Sequence, residues 1–195
     1  MGKLIGIIVV VALLFVVVLG VSGYNGLVKK NEAVNTGWSQ VENVYQRRAD
    51  LIPNLVETVK GAANFEQETL TRVVEARASA SQVKLTPEML NDPQAMQKFD
   101  AAQGELSGAL SRLLVTVEQY PELKANANYL ALQEQLEGTE NRIAVERGRF
   151  NEVARDYNVA VKRFPMNFFA GMFGFDPKAY FQAAEGSEQA PRVKF

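Results

Sequence analysis

The sequence contains neither cysteine nor histidine among its 195 residues. Without cysteine there are no disulfide bonds and no thiolate nucleophiles, and the redox state of the compartment cannot be inferred from cysteine usage. Without histidine there is no Ser-His-Asp triad and no imidazole acid–base catalysis, and zinc sites built from thiolates and imidazoles are excluded as well. An enzyme of this composition would depend on carboxylates alone or on a metal site with oxygen ligands only.

An excess of charge is also absent. The chain carries 21 basic and 22 acidic side chains, a formal net charge of −1, which argues against a general nucleic-acid binder. Most glutamates in helical stretches have a basic neighbour at helical spacing, as Glu57 has Lys60 and Glu146 has Arg149, which is typical of a solvated surface. The scattered glycines form no phosphate-binding loop. We therefore expect no enzymatic activity, no metal or other cofactor, and no nucleic-acid or small-molecule partner.

What the chain does have is a long apolar run. The segment from Leu4 to Val21 contains no charged or strongly polar side chain. As a helix it spans about 27 Å, close to the thickness of a bilayer core. A cleaved signal peptide has a shorter apolar part and a small-residue cleavage site, which residues 21–23 supply poorly. We therefore assign residues 1–24 to a membrane anchor that is retained.

The charges that flank the anchor do not determine its orientation in the membrane. Lys3 and the amino terminus flank one end of the anchor, and Lys29 and Lys30 flank the other. The positive-inside rule gives nearly a tie between the two orientations.

Beyond residue 24 the apolar residues recur in steps of three and four, which predicts amphipathic helices with a coiled-coil-like seam. Three long stretches show this spacing, at about 25–83, 93–120 and 128–164. Because the connection 121–127 is short, the helices on either side of it are expected to be antiparallel neighbours. The predicted fold is all-α: the transmembrane helix is followed by an up-down-up bundle of long antiparallel helices over residues 25–185, with a short C-terminal helix.

Pro53 lies inside the first of these stretches. It cannot donate a backbone hydrogen bond to the carbonyl of Ala49, which costs roughly 3 kcal/mol or more in a helix interior. The apolar stripe nevertheless keeps its phase across the proline, so we expect a kinked helix that continues. At about 88 Å this first helix is far longer than its partners. A bend at Pro53, a projecting stalk or pairing with other chains would accommodate the excess.

Five large apolar residues crowd the segment after Pro165. If the first helix leads away from the membrane, the third ends far from it, so this segment is expected at the distal tip of the bundle. It could cap the core of the bundle, bind another subunit or touch an apposed membrane. These candidate contact residues are Phe168, Phe169, Met172, Phe173 and Phe175.

Three smaller features complete the prediction. Asp176-Pro177 resembles a helix start, so a short helix is expected to about residue 184. Residues 186–195 are expected to form a disordered tail. In the second long stretch, small residues repeat at helical spacing, and packing inside the bundle is favoured over a contact between subunits; they are Gly104, Ser107, Gly108 and Ser111.

Several long segments closely resemble the LemA family. They are RRADLIPNLVETVKG at 47–61, YPELKAN at 120–126, LQEQLEGTENRIAVERGRFNEVARDYN at 132–158, and FP followed by a Phe-rich stretch and GF at 164–175. The resemblance implies a single-pass bacterial membrane protein with an all-helical domain. It implies no catalytic residues, since none are established for the family, whose members are usually described with the helical domain in the cytoplasm.

Two functions are consistent with these features. The first is a non-enzymatic scaffold or adaptor, anchored in the bacterial inner membrane by one helix, that self-associates. The second is a protein that shapes or senses membranes through the Phe-rich segment as a second contact. The expected partners of the chain are membrane lipid and further copies of the same chain. A hydrolase using paired carboxylates is the third and weakest alternative.

Overall fold

A computed structural model describes residues 2–61 and 65–182, which form six α-helices, one 3₁₀ helix and no strand. The all-α class and the apolar N-terminal helix are thereby confirmed. The 3₁₀ helix covers Pro87–Asn91. The α-helices are α1 Gly2–Lys60, α2 Gln67–Gln82, α3 Pro93–Val117, α4 Pro121–Lys124, α5 Ala127–Lys162 and α6 Met166–Phe173.

Several helix ends lie where the sequence predicts them, because their signals are local. The Asp92 side chain accepts a hydrogen bond from the backbone N–H of Gln94 at 2.8 Å and caps α3. Asn126 caps α5 by accepting from the backbone N–H groups of Asn128 and Tyr129 at 2.9 and 3.2 Å. Each cap satisfies donors that the first turn of a helix leaves without intrahelical partners.

The first long stretch is divided, contrary to the prediction of one helix to about residue 83. Helix α1 ends at Lys60, where the backbone N–H of Gly61 still donates to the carbonyl of Glu57 at 3.3 Å. Helix α2 then runs back along α1, and the indole Nε1 of Trp38 donates to the carbonyl of Leu85 at 3.0 Å. Both apolar stripes thus face one core. The excess length is taken up by a reversal, and the bundle has four long passes instead of three.

Pro53 lies within α1, so the prediction that the helix continues through it is confirmed. The carbonyl of Ala49, which the proline leaves without its helical donor, accepts a hydrogen bond from Nε of Arg77 on α2 at 2.8 Å. A backbone group freed by the proline is thus satisfied inside the bundle. It is not a free polar site.

The core has two apolar clusters with a charged group between them. One surrounds Trp38, whose ring centroid lies 5.3 Å from that of Phe99 and 5.7 Å from that of Phe150. The other lies toward the far end of the bundle, around Ile52 and Leu113. At 25 cal/mol per Å², burial of each large side chain contributes about 1.5–3 kcal/mol.

The charged group is Arg48, which is 1% exposed. Its Nη1 donates to Oγ of Ser107 at 2.6 Å and to Oε1 of Glu140 at 2.7 Å, and its Nη2 donates to Oε1 of Gln103 at 2.6 Å. These partners lie on α3 and α5, so the guanidinium joins three helices. The guanidinium can be buried because these charged hydrogen bonds replace most of the hydrogen bonds that it would make with water.

Residues 175–182 are not helical, so the helix predicted to start at Asp176 is wrong over the described residues. This segment is extended and docks on α5, where the Asn158 side chain exchanges two hydrogen bonds with the backbone of Lys178 at 2.7 and 2.8 Å. Asn151 does the same with the backbone of Phe181, both at 2.9 Å. The predicted tail at 186–195 lies outside the described residues.

The spacing of the two asparagines along α5 matches the spacing of their backbone partners in this segment. Seven residues of a helix rise about 10.5 Å, and three residues of extended chain cover about 10 Å. Asn151 and Asn158 therefore meet residues 181 and 178 in register, as a neighbouring strand would. The pairing seats the Phe181 ring in the core, 5.6 Å from the Phe150 ring.

Candidate functional site around α6

Among the described residues, α1 is the one helix long and apolar enough to cross a membrane. Most apolar side chains of its Leu4–Val21 segment leave more than half of their surface uncovered, from 51% for Val9 to 67% for Leu4. Such a large apolar surface is unfavourable in water and favourable in lipid. No helix break separates this segment from the bundle part of α1.

Helix α6 packs across α1 at the end of the apolar segment. Two glycines make room for it: a methyl group at Gly20 would lie 3.1 Å from Cε1 of Phe169, and one at Gly23 would overlap the side chain of Met166. Ala170, 1% exposed, faces the core, and Gly174 ends the helix with φ +72°. The close approach of α6 to α1 thus depends on the two glycines of α1.

Aromatic rings continue the contact. The Tyr24 ring lies edge-on to Phe173 at 5.1 Å and to Phe175 at 5.6 Å between centroids. Phe175 also packs against the Trp38 cluster. Phe169, Phe173 and Phe175 are thereby held on the chain's own helices, which supports a capping role for this part of the segment.

Two of the predicted contact residues remain largely uncovered, and Phe173, although it contacts Tyr24, is covered only in part. Phe168 is 67% exposed and Met172 is 68% exposed, and Phe173 keeps 47% of its surface free. Phe164, at the end of the third predicted helical stretch, is 75% exposed, and its ring centroid lies 6.1 Å from that of Phe168. We call Phe164, Phe168, Met172 and Phe173 the apolar rim.

The apolar rim lies beside the end of the apolar Leu4–Val21 segment, so its expected place at the distal tip is wrong. The reason is the reversal after Gly61. With four long passes instead of three, α5 returns toward the end of the bundle from which the chain started. The segment that follows α5 therefore meets Gly20 and Tyr24, and not an apposed membrane at the far end.

Basic side chains surround this end of the bundle. Lys29 and Lys30 on α1 and Lys162 and Arg163 at the end of α5 are all exposed. None of the four forms an ion pair with any residue in the described part of the chain, whereas Arg147, for example, pairs with Asp100 at 2.9 Å. They are free to meet anionic groups outside the protein.

The small-residue face of α3 does not pack inside the bundle as expected. Gly104 and Gly108 are exposed, and a methyl group added at either would meet no atom within 4 Å. Ser111 is exposed too, whereas Ser107 accepts a hydrogen bond from Arg48.

Two titratable groups of the bundle have pKa values that burial shifts. Burial raises the pKa of Tyr157 to about 12, with a smaller contribution from the negative charge of Asp176. Burial also lowers the pKa of Lys178, whose Nζ lies 5.7 Å from the Tyr157 ring centroid. Within residues 2–61 and 65–182, no three acidic side chains are grouped so as to hold a metal ion.

Comparison with known proteins finds relatives of similar sequence. Magnetosome protein MamQ of Magnetospirillum gryphiswaldense is 30% identical over 174 residues, which cover 81% of this chain and 64% of that protein. Magnetosome protein MamQ 2 of Paramagnetospirillum magneticum is 29% identical over 175 residues, covering 82% and 64%. Protein LemA of Metamycoplasma hominis is 24% identical over 179 residues, covering 89% and 78%.

The chain thus spans just under two thirds of the length of the magnetosome relatives that it matches. The LemA family model matches residues 37–195, which include the bundle, α6 and the extended segment after it. Because this match covers most of the sequence, the chain belongs to the LemA family.

Proposed function

We propose that the protein is a non-enzymatic, single-pass scaffold of the bacterial inner membrane that self-associates and holds partners at a fixed distance from the bilayer. The observation that carries this proposal is the continuity of α1 from Gly2 to Lys60. One part of this helix is apolar enough to cross the bilayer, and the rest lies in the core of the bundle, where Val34 and Trp38 are fully buried.

This continuity has a mechanical consequence. The part of α1 beyond residue 21 extends about 58 Å at 1.5 Å per residue. A helix packed into a bundle on three sides resists bending, so the orientation of the bundle follows that of its transmembrane segment. A surface of the bundle is thereby presented at a set height above the membrane, which suits an adaptor.

The polar interior supports a structural role. The buried guanidinium of Arg48 and the side chains of Asn151 and Asn158 are used in bonds between helices or to the extended segment. Catalytic groups usually face a cleft where a substrate can reach them. These polar groups instead hold the fold together.

Self-association is tested by measuring the mass of the full-length protein in detergent and in lipid nanodiscs over a range of concentrations. The chain has no cysteine, so single cysteines can carry donor and acceptor dyes without background. Energy transfer between labelled chains in proteoliposomes, reduced by adding unlabelled chains, is the expected result. A monomer at every concentration in both media would remove self-association from the proposal.

The second candidate is a protein that shapes or senses the membrane. The observation in its favour is the apolar rim, which lies at the level where α1 leaves its apolar segment. Shallow insertion of apolar side chains into one leaflet spreads the headgroups and favours curvature. Reconstitution of the full-length chain and of a Phe168→Ser, Met172→Ser variant into large vesicles tests this, with vesicle diameter measured by cryo-electron microscopy. Equal diameters for the two proteins and for empty vesicles would exclude it.

A further inference from the structure

The depth of α6 relative to the membrane can be read from its contacts with α1. Gly20 belongs to the apolar Leu4–Val21 segment, and it is buried because Phe169 covers it. A side chain that covers a residue of the membrane-spanning segment must itself reach the bilayer. Helix α6 therefore lies at the level of the membrane surface whenever α1 crosses the membrane.

The direction of α6 follows from the same contacts. Met166 at its start meets Gly23, Phe169 meets Gly20, and Phe173 at its end meets Tyr24. Eight residues of helix extend about 12 Å, whereas residues 20–24 of α1 rise only about 6 Å. Helix α6 thus crosses α1 at a steep angle instead of running along it. If α1 stands near the membrane normal, α6 lies near the membrane plane.

The composition of α6 suits this position. Its sequence, MNFFAGMF, has no charged residue and only one strongly polar one, Asn167. Three of its large apolar side chains are exposed and belong to the apolar rim: Phe168, Met172 and Phe173. Lys162 and Arg163 precede Phe164 directly, so cationic groups adjoin the rim on the side of the bundle. An apolar face bordered by long cationic side chains is typical of helices at a lipid headgroup boundary.

We propose that α6 is a second membrane contact of this chain: its apolar rim inserts into the same leaflet from which α1 emerges, beside the transmembrane segment. The occupant of this surface is lipid, because the surface is continuous with the lipid-facing surface of α1 through Gly20 and Tyr24. The proposal rests on the membrane anchoring in the proposed function. Two contacts with one leaflet would fix the tilt of α1 and hold the bundle upright.

The test uses single cysteines in the full-length chain, each carrying a nitroxide spin label, in proteoliposomes. Two positions lie in the rim, Phe168→Cys and Met172→Cys. Val115→Cys on α3 is the matched control, because Val115 and Phe168 are both 67% exposed. Val10→Cys in the anchor is the control for membrane insertion. Accessibility to oxygen, which concentrates in lipid, is compared with accessibility to a water-soluble nickel chelate.

We expect the ratio of oxygen to nickel accessibility at Phe168 and Met172 to be several-fold higher than at Val115 and to approach the ratio at Val10. A ratio at the rim equal to that at Val115, together with a lipid-like ratio at Val10, would overturn the proposal and leave the anchor intact. A water-like ratio at Val10 would instead overturn the anchoring itself, and the proposal with it.

A second copy of the chain could also shield the rim. In that case labels at Phe168 would be protected from both reagents, and their spectra would be broadened by spin–spin coupling that disappears on dilution with unlabelled protein. This outcome would also overturn the proposal. Protection from nickel alone, without broadening, supports insertion into lipid.

Discussion

The buried guanidinium of Arg48 allows a quantitative test of what holds the bundle together. Its side chain is 1% exposed, whereas that of its ion-pair partner Glu140 is 41% exposed. The two partners therefore face different surroundings, although they share one contact of 2.7 Å. We consider two changes, Arg48→Met and Glu140→Ala, and predict that the change at the more exposed residue is the more damaging.

The ranking follows from what each change leaves behind. In Arg48→Met, water can hydrate the half-exposed carboxylate of Glu140, and methionine fills much of the vacated volume. The amide oxygen of Gln103 loses its donor, so we expect a cost of about 2 kcal/mol from one unsatisfied buried group. In Glu140→Ala, the guanidinium stays buried without its countercharge, and only neutral partners remain on α3.

Breaking a buried ion pair in this way typically costs about 3–5 kcal/mol. Because Ser107 and Gln103 still accept from the guanidinium, we place Glu140→Ala at the lower end, about 3 kcal/mol. The double variant should be no less stable than Glu140→Ala alone, since removing the arginine removes the unpaired charge. For a chain of this size, 3 kcal/mol lowers the unfolding temperature by about 6–12 °C.

The assay uses Trp38, the single tryptophan of the chain. It is fully buried in the bundle and lies 17 residues beyond the end of the apolar Leu4–Val21 segment, so its emission reports unfolding of the bundle. Urea titration of the full-length protein in detergent micelles then gives the free energy of unfolding for the wild type, both single variants and the double variant. Equal slopes across the four proteins would show that the transition is the same in each.

The reasoning would be refuted by a cost below about 1 kcal/mol for Glu140→Ala, the range of solvent-exposed ion pairs. Such a result would mean that water reaches the guanidinium once the carboxylate is gone. A double variant markedly less stable than either single variant would also contradict it, since the two effects would then be independent.

Three further predictions follow from the described contacts. Asn158→Ala removes both hydrogen bonds to the Lys178 backbone and should cost about 2–3 kcal/mol, with faster hydrogen exchange at Lys178; unchanged exchange would contradict it. Pro53 is exposed, so Pro53→Ala removes the clash of the proline ring and adds a second donor to the Ala49 carbonyl, which already accepts from Arg77. The unfolding temperature should therefore rise; a fall would show that the fold requires a bend. The raised pKa of Tyr157, about 12 against an ordinary 10.0, means that the unfolded chain ionises first, so its contribution to stability is present below pH 10 and lost between about pH 10 and 12. Alkaline unfolding should therefore be milder in Tyr157→Phe than in the wild type, and identical pH profiles would refute this.

Features that depend on a few neighbouring residues could be predicted from the sequence. The long apolar N-terminal helix follows from an uninterrupted apolar run, and the start of α3 follows from a capping Asp92 and a proline at the first helical position. Continuity through Pro53 follows from the phase of the apolar stripe. Each of these signals is decided within one or two helical turns, where backbone sterics and local hydrogen bonds dominate.

The docked segment after α6 could not be predicted in the same way. Asp176-Pro177 has the local form of a helix start, but the backbone of residues 178–181 finds better partners in Asn151 and Asn158. Those partners lie 20 and 30 residues away in sequence. The signal was present as two asparagines seven residues apart on the buried side of a helix. It has meaning only once an extended segment of matching length is known to pass them.

The reversal after Lys60 had the largest effect on the candidate site. The apolar stripe keeps its phase from Val59 to Leu70, which favoured one long helix, yet Gly61 and a basic last turn are both signals of a helix end. A single reversal changes the number of passes from odd to even, and an even number returns the chain to the end from which it started. The segment after α5 thereby moves from the far tip to the end of the apolar Leu4–Val21 segment. Its apolar side chains, unexplained at a tip in water, then lie beside Gly20, where the proposed membrane anchoring would place lipid.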